Sequence, residues 1–274
     1  MLIALHDLFR CMSYPTEERI NADILSADTI KSLLPADFSG DVFVKEVTKS
    51  TNADAAWIAK EAVHGTVVIA DAQTAGRGRL GKSFFAPRGG IYMSVILKLG
   101  LAFSDAVLVT TAASVAVCKA VEAVSDVQPK IKWVNDILIN EKKVCGISCE
   151  AVSSGDTVDS VILGIGVNFS SQDFPEELRE TAGVLFTEPT VSRNELIAEI
   201  LKNILSETED LLARKFINEY RKRSAVLGKP IRYLENNIWH DADAVGIDEN
   251  GGLIILENGK EKILVSGEIT LRIK

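Results

Sequence analysis

The chain has 274 residues, of which 47% are hydrophobic and 25% are charged. This is the composition of a packed globular protein, long enough for one catalytic domain and a small second module, and it excludes a disordered chain. With 30 Lys and Arg against 38 Asp and Glu, the net charge is −8. A negative charge argues against DNA or RNA as the main partner, because phosphate binding relies on a basic surface.

Nothing in the sequence indicates secretion or a membrane anchor. The four cysteines are scattered, which predicts small buried thiols rather than a disulfide framework. No apolar run is expected to reach the length of a bilayer span, and the first residues lack the apolar core of a signal peptide. We therefore expect a cytoplasmic protein with no membrane contact.

Periodicity and capping residues predict alternating short strands and helices in the first two thirds of the chain. The predicted elements are, in chain order, a brief helix at 27–34, a strand at 42–47, a helix at 53–63, strands at 66–70 and 91–99, a long helix ending near Val124, a strand with a turn at 130–140, and a hairpin of strands at 144–152 and 157–167. We expect Ser50-Thr51-Asn52 to cap the second helix and Ser104 to cap the long one.

The character of the chain changes in its last third. An apolar stripe predicts one helix from Ser192 to about Leu227; its members are Leu196, Ile200, Ile204, Leu211 and Leu212. Beyond it, short β runs separated by Asn-Gly turns predict a small all-β module. We therefore expect an extension at 1–40, a catalytic domain at 41–227 and a β module at 228–274. Strands, helices and hairpins in one domain favour the α+β class.

A glycine- and arginine-rich stretch occupies residues 73–90. Its segment 76–83 matches the P-loop pattern, but Pro87 and Gly89-Gly90 follow where the helix of a P-loop would run, so a P-loop ATPase is not expected. Glycines let backbone N–H groups approach an anion closely, and arginines offer phosphate a planar fork of donors. A solvated basic loop is the alternative. The density of glycine, arginine and aromatic residues favours an anion site.

Several segments, in the same order along the chain, resemble the motifs of biotin–protein ligases. GRGRLGKSFFAPRGGIYMS at 76–94 resembles the signature loop of that family. Ser50-Thr51-Asn52 resembles its first biotin-site motif, and KWVNDILINEKKVCGI at 132–147 resembles its Lys-Trp-Pro-Asn-Asp segment with the lysine that follows. GIGVN at 164–168 and SGEITLR at 266–272 also fit. The resemblance covers the chain from about Val42 to Lys274.

The resemblance implies a fold and a set of site residues. The implied fold is a mixed sheet with helices, similar to class II aminoacyl-tRNA synthetases, followed by a small SH3-like β barrel. The implied biotin-binding residues are Ser50, Thr51, Asn52, Gln73, Arg77, Gly78, Arg79, Lys143 and Gly146. The implied ATP-binding residues are Arg79, Lys82, Phe84, Lys132, Asn135, Asn168 and Arg272. The implied catalytic residues are Lys143, Arg79 and Asp136.

Two of these residues have a specific implied role. Lys143 should lie between the biotin carboxylate and the α-phosphate of ATP, where it stabilises developing charge. Asp136 should assist either Mg²⁺, as its ligand, or the incoming lysine of the acceptor. Without the resemblance, Lys143 would be interpreted as a solvent-exposed lysine in a turn and Asp136 as a turn cap.

The implied reaction uses biotin, ATP and Mg²⁺, forms biotinyl-5′-AMP, and transfers biotin to a lysine of the biotin carboxyl-carrier domain of a carboxylase. A homodimer is left open. The segment before Val42 is shorter than a winged helix-turn-helix and is not basic, so DNA binding is not expected. The alternatives are a lipoate ligase or octanoyl transferase on the same scaffold, and a DNA-binding biotin sensor. The complete arginine-glycine loop and the terminal β module favour biotin.

Four positions depart from the family pattern. Val134 replaces a proline, Phe84 stands where a tryptophan is common, Lys82 replaces a frequent arginine, and Cys145 replaces a small residue. None removes a charge assigned to the reaction. We expect these departures to affect rates rather than the kind of reaction.

Overall fold

The first of two β-sheets forms the centre of the molecule in the computed structural model, which describes residues 23–78, 81–102, 105–154, 157–170, 173–265 and 268–271. Its strands are β1 (Val42–Thr48), β2 (Val67–Gln73), β3 (Ile91–Leu97), β4 (Lys130–Lys132), β5 (Asp136–Ile139), β6 (Lys142–Ser154) and β7 (Thr157–Val167). They lie in the order β1-β2-β3-β7-β6-β5-β4. β1 and β2 are parallel, and the other neighbours are antiparallel. The sheet is mixed, as predicted, and the α+β class is confirmed.

Five helices accompany this sheet in the described residues: α1 (Ala27–Ser32), α2 (Thr51–Ile58), α3 (Ala106–Val124), α4 (Arg193–Glu209) and α5 (Ile217–Arg223). The Ser50 hydroxyl accepts a hydrogen bond from the Ala53 N–H and caps α2, as predicted. Ser192 and Glu195 form a capping box at the start of α4. The predicted cap Ser104 lies outside the described residues. α1 belongs to the predicted extension, yet Ile30 lies in the main core.

The predicted continuous helix from Ser192 to Leu227 is wrong. α4 ends at Glu209, and a 3₁₀ turn followed by left-handed Arg214 (φ 54°) redirects the chain before α5 begins. Leu212, which the sequence places on the apolar stripe, is 56% exposed. The predicted single strand at 130–140 is also divided, because the turn at 133–135 separates β4 from its antiparallel neighbour β5.

α3 is the central helix of the core and packs against α4, α5 and β6. Its segment Val107–Val124 is long and apolar enough to cross a bilayer by length and composition, which corrects the expectation that no run reaches that length. However, 72% of that segment is buried inside the protein. The core helix of a globular domain passes the same test, so this helix is weak evidence for a membrane span.

The second sheet is the small all-β module predicted at the end of the chain. Its strands are β8 (Pro230–Glu235), β9 (Ile238–Ile247), β10 (Leu253–Glu257), β11 (Lys260–Leu264) and β12 (Glu268–Leu271). They lie in the order β11-β10-β9-β8-β12 and are antiparallel throughout. The turn predicted at Asn258-Gly259 is present, with positive φ at both residues. The three predicted domain boundaries stay predictions.

Candidate active site

A cleft that is open to solvent lies between the start of α2, the 73–90 loop, the turn before β5, and the strands β6 and β7. Most of the residues predicted for the site line it: Ser50, Thr51, Asn52, Gln73, Arg77, Gly78, Phe84, Asn135, Lys143 and Gly146. These residues come from five separate segments of the chain, so the fold itself assembles the cleft.

One wall of the cleft is a chain of hydrogen bonds that starts at α2. The Thr51 N–H donates to Gln73 Oε1 at 2.8 Å, and the Thr51 hydroxyl donates to the same oxygen at 3.2 Å. The Ser94 hydroxyl donates to Asn52 Oδ1 at 2.6 Å and lies 2.8 Å from the Thr51 hydroxyl. Asn52 Nδ2 donates to Glu150 Oε1 at 2.5 Å. Because Thr51 and Asn52 are buried, these bonds fix the orientation of the polar groups in the wall.

Three glycines on β6 and β7 make the floor of the cleft. Gly146 lies opposite Gly166 in the strand pairing, and Gly164 is two residues away on the same face. A Cβ on Gly164 would lie 2.2 Å from Asn52 Oδ1, and a Cβ on Gly166 would lie 2.6 Å from the Phe84 ring. The absence of side chains at these positions therefore lets the wall and the loop approach the sheet closely.

Lys143 and Asp136, the two residues assigned to catalysis in the described part of the chain, contact each other. Lys143 lies in β6 rather than in an exposed turn, and its Nζ is 2.6 Å from Asp136 Oδ1 at the start of β5. The two side chains are 35% and 22% exposed. Lys143 Nζ also lies 5.9 Å from the centroid of the Phe84 ring. The pair therefore holds a half-buried ammonium group at the cleft.

The glycine- and arginine-rich loop has the form of an irregular hairpin. The Gly78 N–H donates to the Lys82 carbonyl, and the Phe84 N–H donates to the Gly76 carbonyl. A Cβ on Gly76 would lie 2.6 Å from the Phe84 carbonyl oxygen, so glycine is required there. Residues 84–90 contain no helix, and β3 follows at Ile91. The rejection of a P-loop is confirmed.

Asn168, predicted as an ATP-binding residue, is not among the residues that line the cleft. It is buried at the end of β7, and its Nδ2 donates to the carbonyls of Gly183 at 2.9 Å and Lys143 at 3.4 Å. These bonds tie a neighbouring segment to the backbone of β6. The structure thus gives Asn168 a role in holding the Lys143 strand, and its direct contact with a ligand stays a prediction.

Phe84 and Asn135, two of the predicted ATP contacts, line the cleft, whereas four others lie away from its lining or outside the described residues. Lys82 is exposed on the loop, and Lys132 lies on β4. Arg79 and Arg272 lie outside the described residues. The predicted nucleotide contacts of these four residues stay predictions.

Three residues of the site escaped the sequence analysis: Ser94, Ser148 and Glu150. Ser94 is fully buried in β3 yet bonds to two members of the polar wall. A signal for it exists, because Ser94 is the one short polar residue in the apolar strand sequence IYMSVIL. Ser148 and Glu150 alternate with apolar residues along β6, which indicates one shared face.

Cys118 on α3 and Cys145 on β6 are buried free thiols. Burial raises the pKa of the Cys118 thiol to about 12, and burial also raises the pKa of the Cys145 thiol far above its ordinary value. Both thiols are therefore protonated at neutral pH and unreactive. The expectation of buried thiols is confirmed for these two, while Cys149 is partly exposed.

Two family models match the chain. The model of the biotin/lipoate A/B protein ligase family matches residues 44–168, and the model of the biotin protein ligase C-terminal domain matches residues 226–272. The bifunctional ligase/repressor BirA of Bacillus subtilis is 34% identical over 257 residues, which cover 90% of this chain and 79% of that protein. The chain belongs to the biotin/lipoate A/B protein ligase family.

Within this family, the comparisons favour the biotin ligases. The biotin–[acetyl-CoA-carboxylase] ligase of Paracoccus denitrificans is 29% identical over 239 residues, covering 81% of this chain and 97% of that protein. The solved structure of the biotin protein ligase from Aquifex aeolicus in complex with biotin and ATP superposes with a TM-score of 0.75 at 28% identity. It covers 86% of this chain and all of that one. The predicted membership among biotin protein ligases is confirmed.

Membership in the family supports the interpretation of the loop. The 73–90 loop lies inside the segment matched by the ligase model, where the structure shows a hairpin beside a cleft. The β module lies inside the segment matched by the biotin-specific model. The ligase motifs and the C-terminal β module, both indicated by the sequence, therefore occur together in this fold.

Proposed function

We propose that this chain adenylates biotin with ATP and then transfers the biotinyl group to a lysine of a carrier protein. The observation that carries the proposal is that one cleft combines the polar wall around Thr51 and Asn52 with the Lys143–Asp136 pair. The Aquifex aeolicus relative, solved in complex with biotin and ATP, has the same fold and supports both as substrates here.

The polar wall is suited to the ureido ring of biotin. That ring presents a carbonyl oxygen and two N–H groups, and the wall offers donors and acceptors held in place by Gln73, Ser94 and Glu150. The dithiolane ring of lipoate carries no amide groups and would leave these polar groups unpaired. A site built to hydrogen-bond its ligand rejects such an analogue strongly. The wall therefore favours biotin over lipoate.

In the first step, a carboxylate oxygen of biotin attacks the α-phosphorus of ATP. A new O–P bond forms, the bond between the α-phosphorus and the bridging oxygen breaks, and pyrophosphate leaves. The ammonium group of Lys143 is placed to stabilise the negative charge shared by the carboxylate and the α-phosphate. Asp136 orients this group through the 2.6 Å contact. Arg77, at the mouth of the cleft, supplies a second cation for phosphate.

In the second step, the acceptor lysine attacks the acyl carbon of the mixed anhydride. An amide bond forms, the acyl C–O bond breaks, AMP leaves, and the amine loses a proton. The anhydride must be kept from water between the two steps. The loop contributes Arg77, Gly78 and Phe84 to the lining of the cleft, and it is the element of this chain that we assign to excluding water.

The side chains near the cleft would hold Mg²⁺ through a single carboxylate. In phosphate-transfer sites Mg²⁺ takes one or two carboxylates and completes its shell with phosphate oxygens and water. Asp136 is the carboxylate of this chain that would hold it, and the described residues contain no cluster of three or more acidic, histidine or cysteine ligands. The ion would screen the charge of the phosphates when ATP is bound.

The acceptor, the compartment and the assembly belong to the same proposal. A lysine on a carboxylase carrier domain is the acceptor that relatives such as the Paracoccus denitrificans ligase support. We propose a cytoplasmic location and no contact with DNA; the burial of the apolar helix α3 argues against a membrane anchor at that helix. A homodimer stays a prediction.

The test is release of pyrophosphate by the purified chain with ATP and Mg²⁺, measured with biotin, lipoate or octanoate as the acid. Mass spectrometry identifies the adenylate, and a carrier domain added afterwards should gain the biotinyl mass. We expect pyrophosphate release with biotin and not with lipoate or octanoate. Pyrophosphate release with lipoate or octanoate but not with biotin would assign the chain to the lipoate and octanoate enzymes of its family. No release with any of the three acids would refute the proposal.

A further inference from the structure

A buried arginine lies at the base of the loop that borders the cleft. Arg193 is the first residue of α4, and its side chain is 8% exposed. Among the described residues, it is the one charged residue that falls in the buried class. A buried charge is costly unless its hydrogen bonds are satisfied, and an ion pair of this kind is weak evidence for stability alone. Its position therefore calls for an explanation.

The guanidinium group of Arg193 joins the two stems of the 73–90 loop. Nη1 lies 2.5 Å from Asp71 Oδ1 near the end of β2, and it also donates to the carbonyl of Gly90 at 3.0 Å, just before β3. Arg88, near the end of the loop, forms a second link to β2: its Nη1 donates to Asp71 Oδ2 at 2.7 Å. One guanidinium thus fixes the chain where it enters the loop and where it leaves.

The other donors of Arg193 bind the segment that precedes α1. Nε donates to Asp23 Oδ2 at 3.0 Å, Nη2 donates to the Asp23 carbonyl at 2.8 Å, and the Arg193 N–H donates to Asp23 Oδ1 at 3.2 Å. The neighbouring Asn194 holds the same segment, since its Nδ2 donates to the Ile24 carbonyl at 2.8 Å. Asp23 therefore fixes the rotamer of the arginine that joins the loop stems.

We propose that Arg193 is a positioning residue for the 73–90 loop, and that Asp23 completes the clamp from the N-terminal side. The planar fork of arginine is needed, because a lysine cannot reach Asp23, Asp71 and Gly90 at once. The consequence for catalysis rests on the proposed function, in which this loop excludes water from the adenylate. The clamp itself does not depend on the identity of the substrate.

The first test measures the loop without any substrate. Arg77 and Lys82 are exposed on the loop, so trypsin cleavage after these residues, followed by mass spectrometry, reports how firmly the loop is held. For Arg193→Lys and for Asp23→Asn, we expect cleavage at these two sites to rise about tenfold, the equilibrium equivalent of one lost charge-assisted hydrogen bond. Asp23→Asn keeps the test decisive if Arg193→Lys does not fold.

The matched control is Arg223→Lys. Arg223 is also a shielded arginine, paired with both oxygens of Glu122 on α3, but it lies away from the loop. The control should lower the melting temperature and leave loop cleavage unchanged. Loop cleavage at the wild-type rate in both test variants, or a rise of equal size in the control, would overturn the proposal.

Steady-state kinetics separate the clamp from the proposed function. If the chain adenylates biotin, both test variants should raise the KM for biotin or ATP and increase the fraction of adenylate lost to water, while Arg223→Lys should not. If the wild-type chain fails to adenylate biotin, the proposed function is refuted, and the trypsin result still decides whether Arg193 clamps the loop.

Discussion

The indole N–H of Trp133 donates a 2.8 Å hydrogen bond to the carbonyl oxygen of Gly251, across 118 positions of sequence. Trp133 is the first residue of the turn at 133–135, which Asp136 follows as the first residue of β5, and Gly251 lies in a turn of the β module. Gly251 has a φ of 80°, and a Cβ there would lie 2.8 Å from Thr111 on α3. The β module is thus docked directly against the turn that holds the partner of Lys143.

Replacing Trp133 with phenylalanine should keep the ring packing and remove the donor. The unpaired Gly251 carbonyl should lower the free energy of unfolding by about 1–2 kcal/mol, and the looser turn should slow adenylation. Urea unfolding and pyrophosphate release measure the two effects. Arg221→Lys is the control, because Arg221 binds the Ile247 carbonyl beside the same β-module turn from α5. Equal loss of adenylation in both variants would argue against a specific role for the Trp133 contact.

Gly164→Ala tests the contact between the floor and the wall of the cleft. The new Cβ would lie 2.2 Å from Asn52 Oδ1 and 2.6 Å from Ser148 Oγ, so the wall must move. We expect biotin affinity, measured by calorimetry, to fall about tenfold or more, as for the loss of one fixed hydrogen bond. Gly246→Ala, in strand β9 of the other sheet, is the control and should leave biotin binding unchanged. Wild-type affinity in Gly164→Ala would show that Asn52 does not contact biotin.

Low pH should lower the free energy of unfolding, in part because Asp71 becomes protonated. Partial burial acts to raise its pKa, but hydrogen bonds from Arg193, Gly89 and Arg88 hold the pKa of Asp71 below its ordinary value. Because the folded pKa is the lower one, this stabilisation is present above about pH 4 and is lost as the pH falls through the folded value. Asp71→Asn should therefore cost about 2 kcal/mol at pH 7 and progressively less below pH ~4. Unfolding curves at pH 7, 4 and 3 check this trend, and a constant difference would contradict it.

The sequence predicted those parts of the cleft that depend on local motifs. Ser50 caps a helix through a local hydrogen bond, and the positions of Pro87 and Gly89-Gly90 exclude a P-loop helix. Such features depend on residues close together in the chain. They could be interpreted before any tertiary contact was known.

The remaining features depend on partners far away in sequence. The break after Glu209 has no proline or glycine to mark it, and it depends on the left-handed backbone of Arg214. Arg193 follows an ordinary helix cap, and its contacts with Asp23 and Asp71 span 170 and 122 positions. No pattern within one segment indicates such contacts. They become visible only when the elements are packed.

Under the proposed function, Lys143 stabilises charge during adenylation and does not only bind biotin. The most direct measurement is single-turnover formation of biotinyl-5′-AMP by Lys143→Met, alongside calorimetric binding of biotin. We predict that the rate of adenylate formation falls by about 10²-fold or more while the protein stays folded, with a much smaller loss in biotin affinity. Adenylate formation at the wild-type rate would contradict the account, because the Lys143–Asp136 pair would then have no part in the chemistry.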